Sequence, residues 1–300
     1  MADEAQLSPF VFACQGGLVL DQSTFAMQPG MALELQNFEP DISGGYRRIS
    51  GYAKWNTNIV PQTAASTEPV LMVAHFNSKV IAARGTKIYE AGTTGSWSEI
   101  DTGRTGAGRY TFFRYNLAGT DFIIWADGAN HATKYDGTTL TDINASGAPA
   151  NPKFVTGFKD HLFFAGASST PQQLTFTAPF TDNDFQTSNG AGTIKVDSNI
   201  TGLFPFRDAL FIFCEERIFK LTGSALADFA IQPVTREIGC LNGFTIQEFA
   251  GDIVFLGPDG LRTVAGTERI GDVELGTISR PVQKRFQELT DVDEFTSLVI

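Results

Sequence analysis

From residue 70 onward the chain is built of short apolar runs separated by polar pairs. The unit is an aromatic or apolar stretch, a turn of two or three polar residues, then a second run of four or five apolar residues. It occurs over 70–76 and 80–83 around Asn77-Ser78-Lys79, and over 110–115 and 122–126. It recurs over 154–158 and 162–165 around Lys159-Asp160, and over 203–206 and 209–214 around Arg207-Asp208. A fifth copy covers 244–249 and 253–256 around Ala250-Gly251. Runs of this length, bounded by turn residues and rich in Phe, Val and Ile, predict β-hairpins. A second hairpin follows the first. Residues 87–91 and 96–100 flank Gly92-Thr93-Thr94-Gly95, and 131–135 and 139–143 flank Asp136-Gly137, a strong hairpin signal.

The second runs begin at 80, 122, 162, 210 and 253, so the unit repeats every 40–48 residues. That period is the length of a four-stranded propeller blade. Continuous apolar runs suit strands covered on both faces, as inner strands of a packed blade are. The chain is therefore expected to be all-β, a β-propeller of five or six blades of about four strands. A two-layer β-sandwich with coincidental spacing is the alternative.

Two regions fall outside the repeat. Residues 1–69 read as an irregular N-terminal arm. Strands are expected at 17–20 and 46–55, a helical turn at 31–38, and a long loop at 56–69. These strands either close the propeller or contact neighbours. Blades are assigned to 70–278. Residues 279–300 hold one short helix over 279–289, with Ser279 as N-cap and Pro281 in the first turn, where a missing N–H costs nothing. They end in a run over 294–300 that reads as the opening strand of a further blade. Either the arm completes a sixth blade or the propeller continues beyond residue 300, and the sequence leaves both open.

Composition narrows the function. Acids number 33 against 22 bases, for a net charge of −11, which argues against a protein that holds duplex DNA by neutralising phosphates. Three Cys cannot form a disulfide framework. No run of 18 apolar residues is present and the N-terminus lacks a basic start and an apolar stretch, so the expectation is a soluble chain made in a cytoplasm, without membrane insertion.

Motifs for chemistry are sparse. His75, His131 and His161 are dispersed, and no His-Glu-x-x-His or Cys-x-x-Cys occurs, so neither metal nor cofactor is expected. Asp182-Asn183-Asp184 has alternating oxygen ligands, but lacks the Gly and the closing Glu of a calcium loop and reads as a polar turn. The Gly-rich stretch 103–109 leads into a strand and not a helix, so it reads as an exposed inter-blade loop. Acids recur in the turn before each second run, which fits hairpin chemistry better than a catalytic pair. No catalytic residue is assigned and no enzymatic activity is expected. Arg47, Arg48, Arg104 and Arg109 are the candidate interface residues. Trp55, Trp97 and Trp125 would form the aromatic mouth of a carbohydrate-binding or glycan-processing propeller, the alternative function.

Several segments carry a resemblance. Gly16-Gly17-Leu18-Val19-Leu20, the stretch 27–39 around Gln28-Pro29-Gly30, and Gly44-Gly45-Tyr46-Arg47-Arg48-Ile49-Ser50-Gly51-Tyr52 are similar to the N-terminal part of tailed-phage structural proteins. Residues 200–213, 216–223, Ile238-Gly239-Cys240-Leu241-Asn242-Gly243 and 255–261 resemble the tail-nozzle and packaged-DNA-stabilisation proteins (tail hubs) of short-tailed bacteriophages. The resemblance covers most of 16–55 and 150–290. It implies a structural virion protein located in the phage tail, assembled as a homo-oligomeric ring of six below the portal and adaptor. The ring would retain the packaged genome and let DNA pass transiently at ejection. Its partners would be portal-side tail proteins and tail fibres or spikes. No catalytic residues are carried over, and members of that family are longer chains.

Overall fold

The apolar runs and polar pairs fold as antiparallel hairpins, almost strand for strand. The computed structural model describes residues 14–41, 43–62, 68–106, 108–264 and 278–290. They divide into two compact units. The smaller unit holds the described residues up to 53, with 259–261 and 278–290; the larger holds 54–258 and 262–264.

In the smaller unit, β1 (Gly17–Leu18) pairs in parallel with β2 (Met31–Ala32), and β3 (Phe38–Pro40) pairs antiparallel with β4 (Tyr46–Arg48). The helical turn expected over 31–38 is absent. Gly30 just before that stretch and Asn37 within it have φ of 96° and 60°, which a continuous right-handed helix does not contain, and the chain between them is the two residues of β2 followed by bends and irregular chain. The expected strands 17–20 and 46–55 are realised only over the two and three residues of β1 and β4. The C-terminal helix is α1 (Gln283–Thr290), preceded by a 3-10 turn over Arg280–Val282. Ser279 does not cap it through its side chain: its Oγ accepts from the Leu261 backbone N–H at 3.1 Å and donates to Gln283 Oε1 at 3.1 Å. The strand expected over 294–300 lies outside the described residues.

The larger unit is a five-bladed β-propeller. The first blade comprises β5 (Val70–Phe76), β6 (Lys79–Arg84), β7 (Lys87–Ala91) and β8 (Ser98–Asp101). The second comprises β9 (Thr111–Leu117), β10 (Thr120–Ala126), β11 (Ala132–Tyr135) and β12 (Leu140–Ile143). The third is β13 (Phe154–Phe158), β14 (His161–Ala165), β15 (Gln173–Phe176) and β16 (Gly192–Lys195). The fourth is β17 (Ile200–Phe206), β18 (Ala209–Cys214), β19 (Ile218–Thr222) and β20 (Ala230–Thr235). The fifth has three described strands, β21 (Gln247–Phe249), β22 (Asp252–Gly257) and β23 (Gly260–Thr263). In every blade, strand order in the sheet follows order in the chain. The first strands are the inner ones, since β13 lies between β9 and β17. The arm strands β1–β4 form two-stranded sheets of their own.

Blades are glued face to face. Met72, Ala74, Phe76, Ile81 and Ile88 of the first blade pack on Ile123, Trp125 and Tyr135 of the second. Ile124, Ile143, Val155 and Phe164 join the second and third; Phe163, Phe176, Leu210 and Ile212 join the third and fourth. Phe213, Ile218, Ile253 and Phe255 join the fourth and fifth. This accounts for the excess of Phe. Each fully buried ring contributes about 1.5–3 kcal/mol, and the Phe229 ring meets Phe163 and Phe176 edge to face at 5.8 and 5.1 Å.

Candidate functional site

Blade one has two unlike faces because side chains alternate across a strand. One face of β5 and β6 enters the core with blade two. The other carries Val73 opposite Ala82, with Val80 beside them. A bulge between Val70 and Met72 adds Val70 to this second face. Among the described residues it is covered over Ala82 and open at Val73, 63% exposed, and at Val70, 43% exposed. The segment 54–60 lies beside it and lines it with Trp55 and Ile59, and Trp97, bonded to the same segment, joins the lining. The result is an apolar groove of about 790 Å³, rimmed by Lys54, Glu68 and Arg84.

The walls are held by polar side chains spent on backbone groups. The Trp97 indole N–H donates to Asn58 O at 2.9 Å. The Asn56 amide donates to Gly92 O at 3.0 Å and Gly95 O at 3.2 Å, and the Asn58 amide donates to Gly95 O at 2.7 Å. Arg84 donates to Val60 O at 2.5 Å and Glu68 O at 2.9 Å. A loop that the sequence marks only as rich in Thr, Ala, Pro and Gln is thus tied to the β7–β8 turn. Apolar residues in both phases of 70–83 predict two covered faces; among the described residues the second is covered over Ala82 and open at Val70 and Val73.

The four candidate arginines do not come together. Arg47 pairs with Glu39 at 2.8 Å on the surface of the β3–β4 hairpin, and Arg48 is exposed at its end. Arg104 departs from the expectation of an exposed loop. Its side chain is 6% exposed and bonds to Asp127 at 2.8 Å, to Asp101 at 2.8 Å and to Thr133 at 3.2 Å, with its guanidinium over the Tyr110 ring. Burial alone would raise the Asp127 carboxyl. The Arg104 bond and the N–H groups of Ala129 and Asn130 outweigh it, so Asp127 titrates below the ordinary carboxylate range. Burial pushes the Tyr110 hydroxyl up to about 12.

Arg109 is placed at the starts of the inner strands. Its guanidinium lies 5.9 Å from the Phe244 ring centre, and the Lys153 ammonium lies 6.0 Å from the same ring. Lys153 also sits 5.5 Å from Phe154, whose ring is 6.2 Å from Phe244. Residues leading into blades two, three and five therefore meet in one cation–aromatic cluster. At the other ends of the inner strands the hairpin tips touch the next blade. Lys159 reaches Asp208 at 3.6 Å, and Arg207 donates to Gly251 O at 3.0 Å.

Of the three tryptophans, Trp55 and Trp97 share the groove, whereas Trp125 is fully buried between blades one and two. The Asp182-Asn183-Asp184 cluster is committed to bracing. Asp182 pairs with Lys134 at 2.6 Å and accepts from Tyr115 at 3.0 Å; Asn183 accepts from the Ala145 N–H; Asp184 accepts from Gln186 and Asn189. Among the described residues no three His, Cys, Asp or Glu side chains gather as a metal site. Cys214 and Cys240 are buried, and burial pushes their thiols up to about 12 and about 11. Among the described residues no helix is long and apolar enough to cross a membrane.

No family model and no curated protein matches the chain. Solved structures do. The extracellular domain of a hybrid two-component system from B. thetaiotaomicron aligns with a TM-score of 0.50 at 13% identity, over 75% of this chain and 31% of that one. BBS1N in complex with ARL6DN aligns at 0.44 and 11% identity, over 69% of this chain and 65% of that one. The AfRom2 CNH domain aligns at 0.44 and 10% identity, over 66% and 68%. The chain thus spans about a third of the length of that extracellular domain, and at such identity the likeness is one of fold alone.

Proposed function

We propose that the chain is a structural virion protein: a ring-forming subunit of a bacteriophage tail nozzle or hub, continuing the DNA channel below the portal and adaptor. The sequence resemblance over 16–55 and 150–290 supports this reading. The observation that carries the assembly part is the apolar face of blade one, open at Val70 and Val73 among the described residues. A groove walled by Trp55, Trp97 and Ile59 over Val70 and Val73 is the kind of patch that soluble proteins keep for a partner. A ring built head to tail covers one such patch per copy. The charge fits passage of nucleic acid. At −11 per chain, an acidic wall repels phosphates, so DNA neither sticks nor stalls. The test is the mass and symmetry of the purified protein, by analytical ultracentrifugation and negative-stain electron microscopy. A closed ring of six is the expected particle. Single chains at every concentration and salt would refute the assignment.

One observation favours the glycan-binding alternative: Trp55 and Trp97 share a groove with Asn56 and Asn58. Sugar recognition needs polar side chains directed at hydroxyls, and here both amides are engaged by Gly92 and Gly95 carbonyls. Glycan-array binding that is lost in Trp97→Ala would restore it.

A further inference from the structure

We infer that the propeller binds a phosphate group at the axial end where its first strands begin, through Arg109 and Lys153 beside Phe244. The inference is independent of the ring-forming reading. Three observations converge. First, the cluster lies near the axis. Phe154 opens blade three and Phe244 leads into blade five, yet their rings are 6.2 Å apart. Blades three and five are not neighbours, so side chains of the two meet only close to the shared axis. Arg109, on the loop into blade two, brings its guanidinium within 5.9 Å of the same Phe244 ring.

Second, the parts are held in place. Lys153 N–H donates to Ala165 O at 2.9 Å, and Lys153 O accepts from the Thr111 hydroxyl at 2.7 Å. Phe244 sits on a 3-10 turn over Gly243–Thr245, with its N–H donated to the Asn242 side chain at 3.0 Å. Gly243 lies against the Thr201 carbonyl so closely that a Cβ there would have no room, which fixes the turn on blade four. Groups held this way lose little freedom when a ligand arrives.

Third, the charges call for an anion. The Lys153 ammonium meets two rings, Phe154 at 5.5 Å and Phe244 at 6.0 Å, and among the described residues no carboxylate pairs with it. Two cations drawn to one ring repel each other, and an anion bound to both offsets that repulsion. A phosphate dianion suits the pair. It offers oxygens to the planar guanidinium fork and to the point charge of the ammonium together, whereas a carboxylate carries charge for only one of them.

The experiment titrates the full chain with inorganic phosphate, phenyl phosphate and acetate, read by calorimetry and by the rise in Tm. Both phosphates should bind saturably and acetate should not. Tighter binding of phenyl phosphate assigns the site to a phosphomonoester whose organic group reaches the rings; equal binding assigns it to free phosphate. Lys153→Gln and Arg109→Gln should each weaken binding about tenfold or more, the loss of one charge-assisted hydrogen bond. Lys153→Arg should retain it. Lys195→Gln, on the outer strand of blade three, should leave it unchanged. Far-UV circular dichroism checks each fold, and Lys153 is exposed, so Lys153→Gln decides the matter even if Arg109→Gln unfolds. Neither heat nor a rise in Tm with either phosphate overturns the inference. So does binding that Lys153→Gln leaves intact, or that Lys195→Gln weakens as much.

Discussion

At the scale of single residues, the most consequential side chain is one that the local sequence misrepresents. Arg104 sits among glycines, which read as a surface loop, yet its acids come from Asp101 nearby and from Asp127 at the end of β10. Twenty-three residues and a strand pair separate Arg104 from Asp127, so nothing in the spacing announces the bond. The pair makes a testable contribution. Removing one member of a buried ion pair leaves an uncompensated charge and costs about 3–5 kcal/mol. Asp127→Asn should fall at the lower end, because Asp101 still faces the guanidinium. The sign of the pH dependence follows from the lowered Asp127 value. Unfolded, the carboxyl titrates near 3.9; folded, it titrates lower. Its stabilisation is therefore complete above the unfolded value and disappears as pH falls through the folded one. Urea unfolding of the parent and Asp127→Asn from neutral pH downward should show the gap between them closing in acid. A gap independent of pH would mean the carboxylate charge is not what matters.

At the scale of elements, the hairpins were the readable part, and for a physical reason. Each first-to-second strand connection is two residues long, and several demand left-handed backbone. Asn77 and Ser78 have φ of 48° and 62°, Ala118 and Gly119 52° and 85°, Ala250 and Gly251 52° and 79°. Such paired positive angles are the mirror-image turn that matches the twist of adjoining strands. Period-two burial on either side, as in β9, completes the signal. The arm lacked the second cue: β1–β4 are only two or three residues long, too short to show alternation, although Gly44 and Gly45 between β3 and β4 have φ of 95° and 88°. The groove needed still more, since Asn56 and Asn58 acquire meaning only once Gly92 and Gly95 lie beside them. The turns yield a prediction. Alanine tolerates the left-handed region poorly, and Asn-Gly is the preferred pair for this turn. Ala118→Asn and Ala250→Asn should each stabilise by about 0.5–1 kcal/mol, raising Tm by about 1–4 °C, with effects of this size typical of compatible backbone substitutions. Calorimetry showing a loss in both would argue that the turn conformations are wrong.

At the scale of the whole molecule, two opposing forces govern association, and salt tells them apart. Each chain carries a net charge of −11, so bringing copies together is opposed by long-range repulsion. The surface proposed to drive contact, the blade-one groove, is largely apolar. Screening shortens the Debye length from about 10 Å at 0.1 M to about 3 Å at 1 M, which removes most of the repulsion between exposed charges. It leaves hydrophobic burial intact and weakens exposed ion pairs, each worth at most about 1 kcal/mol. The balance predicts tighter assembly as salt rises. An assembly held by the exposed arginines, Arg48 among them, against acidic neighbours would respond in the opposite sense. Sedimentation velocity across a salt series, at fixed protein concentration, separates the two. Growth of the assembled fraction with salt supports a groove-centred interface. Dissociation with salt assigns the contact to the charged surface, and the apolar face of blade one then needs a different occupant.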